Sequence, residues 1–177
     1  DFVAWFRSVA PYINAFRGKT FVIAFGGEGV ADGKFVELTH DFNLLAALGI
    51  RLVLVHGARP QIEQHLAHNN LGDTYHHGIR LTDAETMRCV KEAVGRVRVE
   101  IEALLSMGLA NSPMANADIR VAGGNFITAQ PIGIINGVDL MHTGSVRKVD
   151  IAALNDRMDF GEVVLLSPLG YSPTGEV

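Results

Sequence analysis

Two short turns rich in glycine carry the chemistry that is easiest to read in this chain. Phe21-Val22-Ile23-Ala24-Phe25 runs into Gly26-Gly27-Glu28-Gly29, and Leu52-Val53-Leu54-Val55-His56 runs into Gly57-Ala58-Arg59-Pro60. Each apolar run predicts a buried parallel strand, and each turn lets backbone approach a ligand. A helix that starts after such a turn offers free N–H groups to anions, so the pattern points to a carboxylate or phosphate site. Ala24 limits the phosphate option. It stands where phosphoryl transfer would call for a lysine, and it can neither neutralise a phosphate nor donate to it.

Other reactive side chains carry less. His65 and His68 are three apart on one predicted helix and His76-His77 follow on a loop, a spacing that would make zinc ligands only if the fold gathered them. Neighbouring histidines in extended chain point to opposite sides, so at most one of that pair could join, and solvated surface histidines are the favoured reading. Cys89 is the single cysteine and falls in a helical apolar pattern, which predicts an inert thiol and no disulfide. No G-x-S-x-G elbow is present.

The elements that must position these residues alternate strand with helix. Thr20 to Phe25 and Arg51 to Val55 read as strands. Phe35, Leu38, Phe42 and Leu45 form a helical stripe ending at Gly49, and Pro60 opens a helix through Ile62 and Leu66. Asn69 to Gly78 is polar. Thr82 and Glu85 have the spacing of a capping box before the longest helix, which carries Met87, Val90, Val94, Val97, Ile101, Leu104 and Leu105 and invites a break near Gly95. Ile119 to Ala122 and Phe126 to Ala129 read as strands around Gly123-Gly124-Asn125, and Gly144 as part of a hairpin or bulge. Ile151 to Met158 reads as a helix and Glu162 to Leu166 as a buried strand, whose edge would be bare without a following helix. The expected fold is α/β, with a mainly parallel sheet sandwiched by helices.

Residues 1–17 form a separate unit in this reading. Phe2, Trp5, Phe6, Val9, Ile13 and Phe16 make an apolar helical stripe, interrupted by Pro11, which predicts a kink or split. Five aromatics in sixteen residues exceed what a covering helix needs. Packing on the parent core and an intersubunit arm are both open.

Composition sets the outer limits. With 177 residues, 48% hydrophobic and 19% charged, the chain can bury one sizeable core. A formal charge of -4 opposes a general binder of nucleic acid or anionic membrane. Without a long apolar span or a signal-like start, a cytoplasmic setting is expected.

Several stretches together resemble a known family. Pro11-Tyr12-Ile13, Arg17-Gly18-Lys19-Thr20-Phe21-Val22-Ile23, the two glycine turns and Gly78-Ile79-Arg80-Leu81-Thr82-Asp83 are similar to the amino-acid kinase fold in its acetylglutamate branch. The Gly57-Ala58-Arg59-Pro60-Gln61 form, Gly124-Asn125-Phe126-Ile127-Thr128-Ala129-Gln130-Pro131 and Thr143-Gly144-Ser145-Val146-Arg147-Lys148-Val149-Asp150 resemble the kinase-like domain of the bacterial N-acetylglutamate synthases. The resemblance implies a regulatory, arginine-binding module of an amino-acid N-acetyltransferase in arginine biosynthesis. L-glutamate and acetyl-CoA would be substrates of the complete protein, with acetyl-CoA bound by another domain and no cofactor bound here. It also implies a homo-oligomer held through the N-terminal helix. Residues 18–177 would be the N-terminal lobe, and the chain would end before the nucleotide-side lobe and the acetyltransferase domain.

Residue by residue, the resemblance carries over little. Gly26, Gly27 and Gly57 match the two ligand-facing loops, where the tight turn needs glycine with or without a ligand. Arg59 replaces a kinase glycine, and would either fill substrate space or pair with a carboxylate and pin the turn. Arg80 matches the arginine that holds the acetylglutamate carboxylate in the kinase, at a site that is vestigial in this reading. Tyr12 matches a tyrosine linked to bound arginine in arginine-sensitive members. No catalytic residue and no metal site is assigned. A working ATP-dependent acetylglutamate kinase, opposed by Ala24 and Arg59, and a non-catalytic arginine-sensing scaffold are the alternatives.

Overall fold

The structure is a computed structural model describing residues 1–107 and 118–177. Its first half runs α1 (Phe2–Phe16), β1 (Thr20–Phe25), α2 (Gly27–Ala31), α3 (Phe35–Ala47), β2 (Arg51–His56), α4 (Arg59–His68), β3 (Tyr75–His76), β4 (Ile79–Arg80) and α5 (Ala84–Leu105). Then come β5 (Val121–Ala122), β6 (Ile127–Pro131), β7 (Ile134–Ile135), β8 (Val138–Asp139), β9 (Gly144–Val149), α6 (Ile151–Asp159) and β10 (Val163–Leu166).

Four strands form a parallel sheet in the order β1-β2-β10-β5. Alternation along each strand divides its side chains between two layers. Phe21, Ile23, Phe25, Leu52, Leu54 and Leu165 face the larger core, which α3, α4 and α5 close with Phe35, Phe42, Ile62, Leu66, Val94 and Val97. Val53 and Val164, paired in register, face the smaller one, closed by Leu154 and Met158 of α6. The expected mainly parallel sheet between helices is therefore present. β10 lies between β2 and β5, so the strand expected to leave a bare edge is interior. Long-range pairing of Val53 with Val164 decides this, and local pattern does not carry it.

Two further local expectations change. The cap of α5 is Asp83, whose carboxylate accepts from Thr86 N at 2.8 Å. Thr82 is buried and hydrogen-bonds Thr143 at 2.7 Å instead of capping. α5 also continues unbroken through Gly95, because its stripe from Met87 to Leu105 is buried on one side and holds the helix across the glycine. The two strands read around Gly123-Gly124-Asn125 are both present: β5 joins the parallel sheet, while β6 pairs antiparallel with β9, with a bulge at Thr128/Ala129 and Gly144 opposite Pro131.

The polar stretch before Arg80 contains an unforeseen hairpin, β3–β4, and a second, β7–β8, precedes β9. Both turn through two residues at positive φ: His77 (49°) with Gly78 (78°), and Asn136 (50°) with Gly137 (83°). That geometry matches the twist of the flanking strands.

α1 is capped by Asp1 and runs through Pro11 without splitting. None of its residues is buried, and Phe2, Trp5, Phe6 and Tyr12 are all more than half exposed. Its last residue, Phe16, packs edge-on against Phe21 at 5.5 Å.

Candidate functional site

A cavity of about 840 Å³ opens where β1, β2 and β10 end. The carboxyl edge of a parallel sheet is where such folds take ligands, since the loops leave the strands there. Gly26 and Gly27, Gly57 to Arg59, and Ser167 to Gly170 line it, together with Tyr75 and Arg80 of the first hairpin. The lining is mainly apolar, with Val55, Ile62 and Met87 beneath the loops.

The glycines act here by close approach. Gly26 has φ -75°, and neither Gly27 nor Gly57 takes positive φ, so the turn geometry expected to demand glycine is not the reason. A Cβ on Gly57 would stand 3.3 Å from Gly26 Cα and Gly27 N, and one on Gly27 would meet Gln61 Oε1 and stand 3.0 Å from Ala58 Cα. The two glycine loops are thus packed backbone to backbone. Gln61 ties them further by donating Nε2 to Gly27 O at 2.7 Å.

Arg59 starts α4, donates to Glu63 one turn on at 2.8 Å, and lies over the Tyr75 ring at 5.2 Å while lining the cavity. Of its two readings, pairing with a carboxylate describes its contact. Arg80 is more enclosed. Its Nε and Nη2 meet the two oxygens of Asp73 at 2.7 and 2.9 Å, a side-on bidentate pair, and Nη2 also donates to Tyr75 Oη at 2.6 Å. The Tyr75 phenol in turn donates to Asp73 Oδ2 at 3.2 Å, and Arg80 also lies over its ring at 5.2 Å. Hydrogen bonding from Arg80 holds the Asp73 carboxyl below its ordinary range, against the opposing effect of partial burial. Thr143 Oγ1 donates to Arg80 O, and His142 N donates to Thr82 O at 2.9 Å, which fastens β4 to the start of β9.

His56, at the end of β2, is buried. Its Nδ1 lies 3.0 Å from Gly57 O and its Nε2 2.8 Å from Ser167 Oγ. A carbonyl only accepts, so Nδ1 carries the proton and the serine hydroxyl donates to Nε2. Burial pushes its pKa below the usual imidazole value, with Arg98 acting in the same direction and the Gly57 bond opposing.

Tyr75 and Ser167 line the cavity, and Asp73, Glu63 and His56 hydrogen-bond to residues that line it; motif reading passed over all five. His56 alone left a signal, as a polar residue closing a buried apolar run. Tyr12 stands apart, exposed on α1 and outside the cavity lining. His65 pairs with Glu92 at 2.6 Å, His68 Nδ1 donates to Gln64 O within its own helix, and the His76 and His77 rings meet edge to face. Among the described residues no group of three or more His, Cys, Asp or Glu is arranged to hold a metal, and no helix is long and apolar enough to cross a membrane. Cys89 is fully buried.

A four-stranded parallel sheet covered by helices on both faces, with a cavity at its carboxyl edge, defines an α/β domain. More specifically, the chain belongs to the amino acid kinase family, which residues 19–177 match. Over its whole length it is 53% identical to the amino-acid acetyltransferase of Ectopseudomonas mendocina (strain ymp) and 55% identical to that of Pseudomonas fluorescens (strain Pf0-1), and it spans 41% of each. The crystal structure of N-acetylglutamate synthase from Neisseria gonorrhoeae complexed with coenzyme A and L-arginine matches with TM-score 0.87 and 39% identity, over 99% of this chain and 41% of that one. The complex of the same enzyme with coenzyme A and N-acetyl-glutamate gives 0.86 and 38%, over 99% and 39%.

Proposed function

We propose that this chain is the amino-acid-kinase-like regulatory part of a cytoplasmic N-acetylglutamate synthase, and that the complete protein transfers acetyl from acetyl-CoA to L-glutamate in the first step of arginine biosynthesis. The reading is carried by the end-to-end match to the gonococcal synthase crystallised with coenzyme A and L-arginine. Ala24 supports a domain that has lost phosphoryl transfer. It sits beside Val55 at the cavity end of β1 and brings no cation to a transferring phosphate, where such a charge would supply much of the catalysis.

In this reading acetyl transfer takes place in the part of the protein beyond the residues matched here. A base removes a proton from the glutamate ammonium and the amine attacks the thioester carbonyl while hydrogen-bond donors hold the oxyanion; collapse of that intermediate breaks the C–S bond and releases coenzyme A, the nitrogen losing its second proton as the departing thiolate takes one up. The present domain contributes regulation. L-arginine acts by binding one arrangement of the protein more tightly than another, and Tyr12 on the exposed α1 is the residue offered for that link. The same helix, with Phe2, Trp5 and Phe6 turned to solvent, is the surface through which copies of the protein associate.

The test is consumption of acetyl-CoA by the complete protein with L-glutamate as acceptor, with and without L-arginine. Transfer that changes with arginine is the expected result. ATP-dependent phosphorylation of acetylglutamate without acetyl transfer would replace this reading with the kinase, and absence of both activities with retained arginine binding would leave a sensing scaffold.

A further inference from the structure

The hairpins β3–β4 and β7–β8 are each built from two-residue strands, and an isolated pair of that length has little stability of its own. Each must be held from outside. At the tips, Asn136 Nδ2 donates to His77 Nε2 at 3.1 Å, so the positive-φ residue that opens one turn touches the one that opens the other. The bases are joined as well. Thr82 and Met141 form a parallel bridge, and His142 N donates to Thr82 O at 2.9 Å. Thr82 Oγ1 donates to Thr143 Oγ1 at 2.7 Å, and the Thr143 hydroxyl in turn donates to Arg80 O. Between the two joints Leu140, directly after β8, is fully buried.

Among the described residues, the hydrogen bonds that residues 133–143 make beyond residues 132–143 all end on residues 77–82. The second hairpin is thus anchored on the first. Only the first reaches the cavity, through Tyr75, Gly78 and Arg80, while none of Ile134 to Asp139 lines it. We propose that the two hairpins open and close as one unit, joined at the tips by Asn136 and His77. A movement of the cavity wall at Tyr75 and Arg80 is then carried outward to β7–β8 and its Ile134, which is 71% exposed. Chains open locally in contiguous cooperative units, and two marginal hairpins tied at both ends meet the condition for sharing one. The competing arrangement is a pair of hairpins that open separately, each held by its own end of the chain.

The test is hydrogen exchange read by mass spectrometry on the complete protein, in peptides covering residues 74–81 and 133–140, with residues 84–105 as the internal check on folding. Leu81 N donates to Thr74 O and Leu140 N to Gly133 O, so each peptide holds an amide that closes its hairpin. His77→Gly and Asn136→Gly each remove one partner of the tip contact, and glycine keeps the positive φ of both turns. His77→Gly is expected to speed exchange in 133–140, and Asn136→Gly in 74–81, by about two- to tenfold, the net worth of one hydrogen bond. The double variant should be no faster than the faster single one, because either change already removes the shared contact. Exchange that rises only in the substituted hairpin, or effects that multiply in the double variant, would overturn the proposal. If the variants do not fold, the wild type decides through its response to low denaturant. One opening free energy and one slope for both peptides support the joint unit, and different slopes overturn it. Exchange is read without acetyl-CoA, glutamate or arginine, so its outcome is independent of acetyl transfer by the complete protein.

Discussion

His56 is a buried base whose surroundings keep it neutral. Loss of hydration disfavours the imidazolium more than the Gly57 carbonyl favours it, so in the folded chain it titrates below 6.5. Between that lowered value and 6.5 the unfolded chain binds more protons, so the contribution to stability is complete above the ordinary value and declines as the pH falls through the window. The urea midpoint should therefore drop between about pH 7.5 and about pH 5.5, and drop less in His56→Gln. Glycine positions should separate just as clearly. Gly27→Ala runs into Gln61 and the backbone at Ala58 and should cost about 1–3 kcal/mol in urea unfolding, whereas at Gly26 the obstacle is the end of the exposed Glu28 side chain, which can swing away, and the cost should be smaller. At this scale the sequence was informative about which loops meet at one cavity and silent about which side chains pack around Arg80. Gly26, Gly27, Gly57, Arg59 and Arg80 do line one cavity, because strand-end loops in a parallel sheet converge. Asp73 and Tyr75 were hidden because they arrive on a hairpin of two-residue strands, too short for any alternation to register.

Helix α5 shows how an element can form against its local signals. Its first turn holds both Thr82 and Asp83 in suitable spacing, and the structure uses the aspartate because Thr82 is already committed to Thr143. Asp83→Ala should lower stability by about 1 kcal/mol in thermal or urea unfolding through loss of the cap. Thr82→Ala should instead loosen the contact between β4 and the start of β9, visible as faster amide exchange at His142, whose N–H is bonded to Thr82 O. Gly95 is the mirror case. A Cβ there meets nothing within 4 Å, so Gly95→Ala should stabilise the helix by about 1 kcal/mol. The expected break failed because the buried stripe from Met87 to Leu105 outweighs one glycine. Strong periodicity made the long elements readable, from β1 and β2 through α3 to α6. The two hairpins were missed although His77-Gly78 and Asn136-Gly137 had the residues for a left-handed turn.

Across the whole molecule, the sheet is covered unevenly. One face carries the large core and the other a smaller cluster of α6 residues with Phe126 and Val149, while Val22 on the outer strand is 67% exposed and the aromatics of α1 face solvent. If α1 joins copies of the protein, Trp5→Glu with Phe6→Glu should shift sedimentation toward smaller species and leave the far-ultraviolet spectrum unchanged. Leu165→Ala, in the interior strand and 1% exposed, should by contrast cost about 2–5 kcal/mol in urea unfolding. Strand order was the part of the fold that residue patterns could not carry, since parallel neighbours are set by contacts across more than a hundred residues, as between Val53 and Val164. That arrangement has a bearing on synthesis. The strand that bridges β2 to β5 is made last among the four, so a nascent chain that has emerged only as far as α6 holds β1 and β2 paired with β5 still unattached. Sheet closure must wait for residues 163–166, which makes this a slow-closing fold by contact order and leaves the inner edge of β2 open to wrong partners during translation.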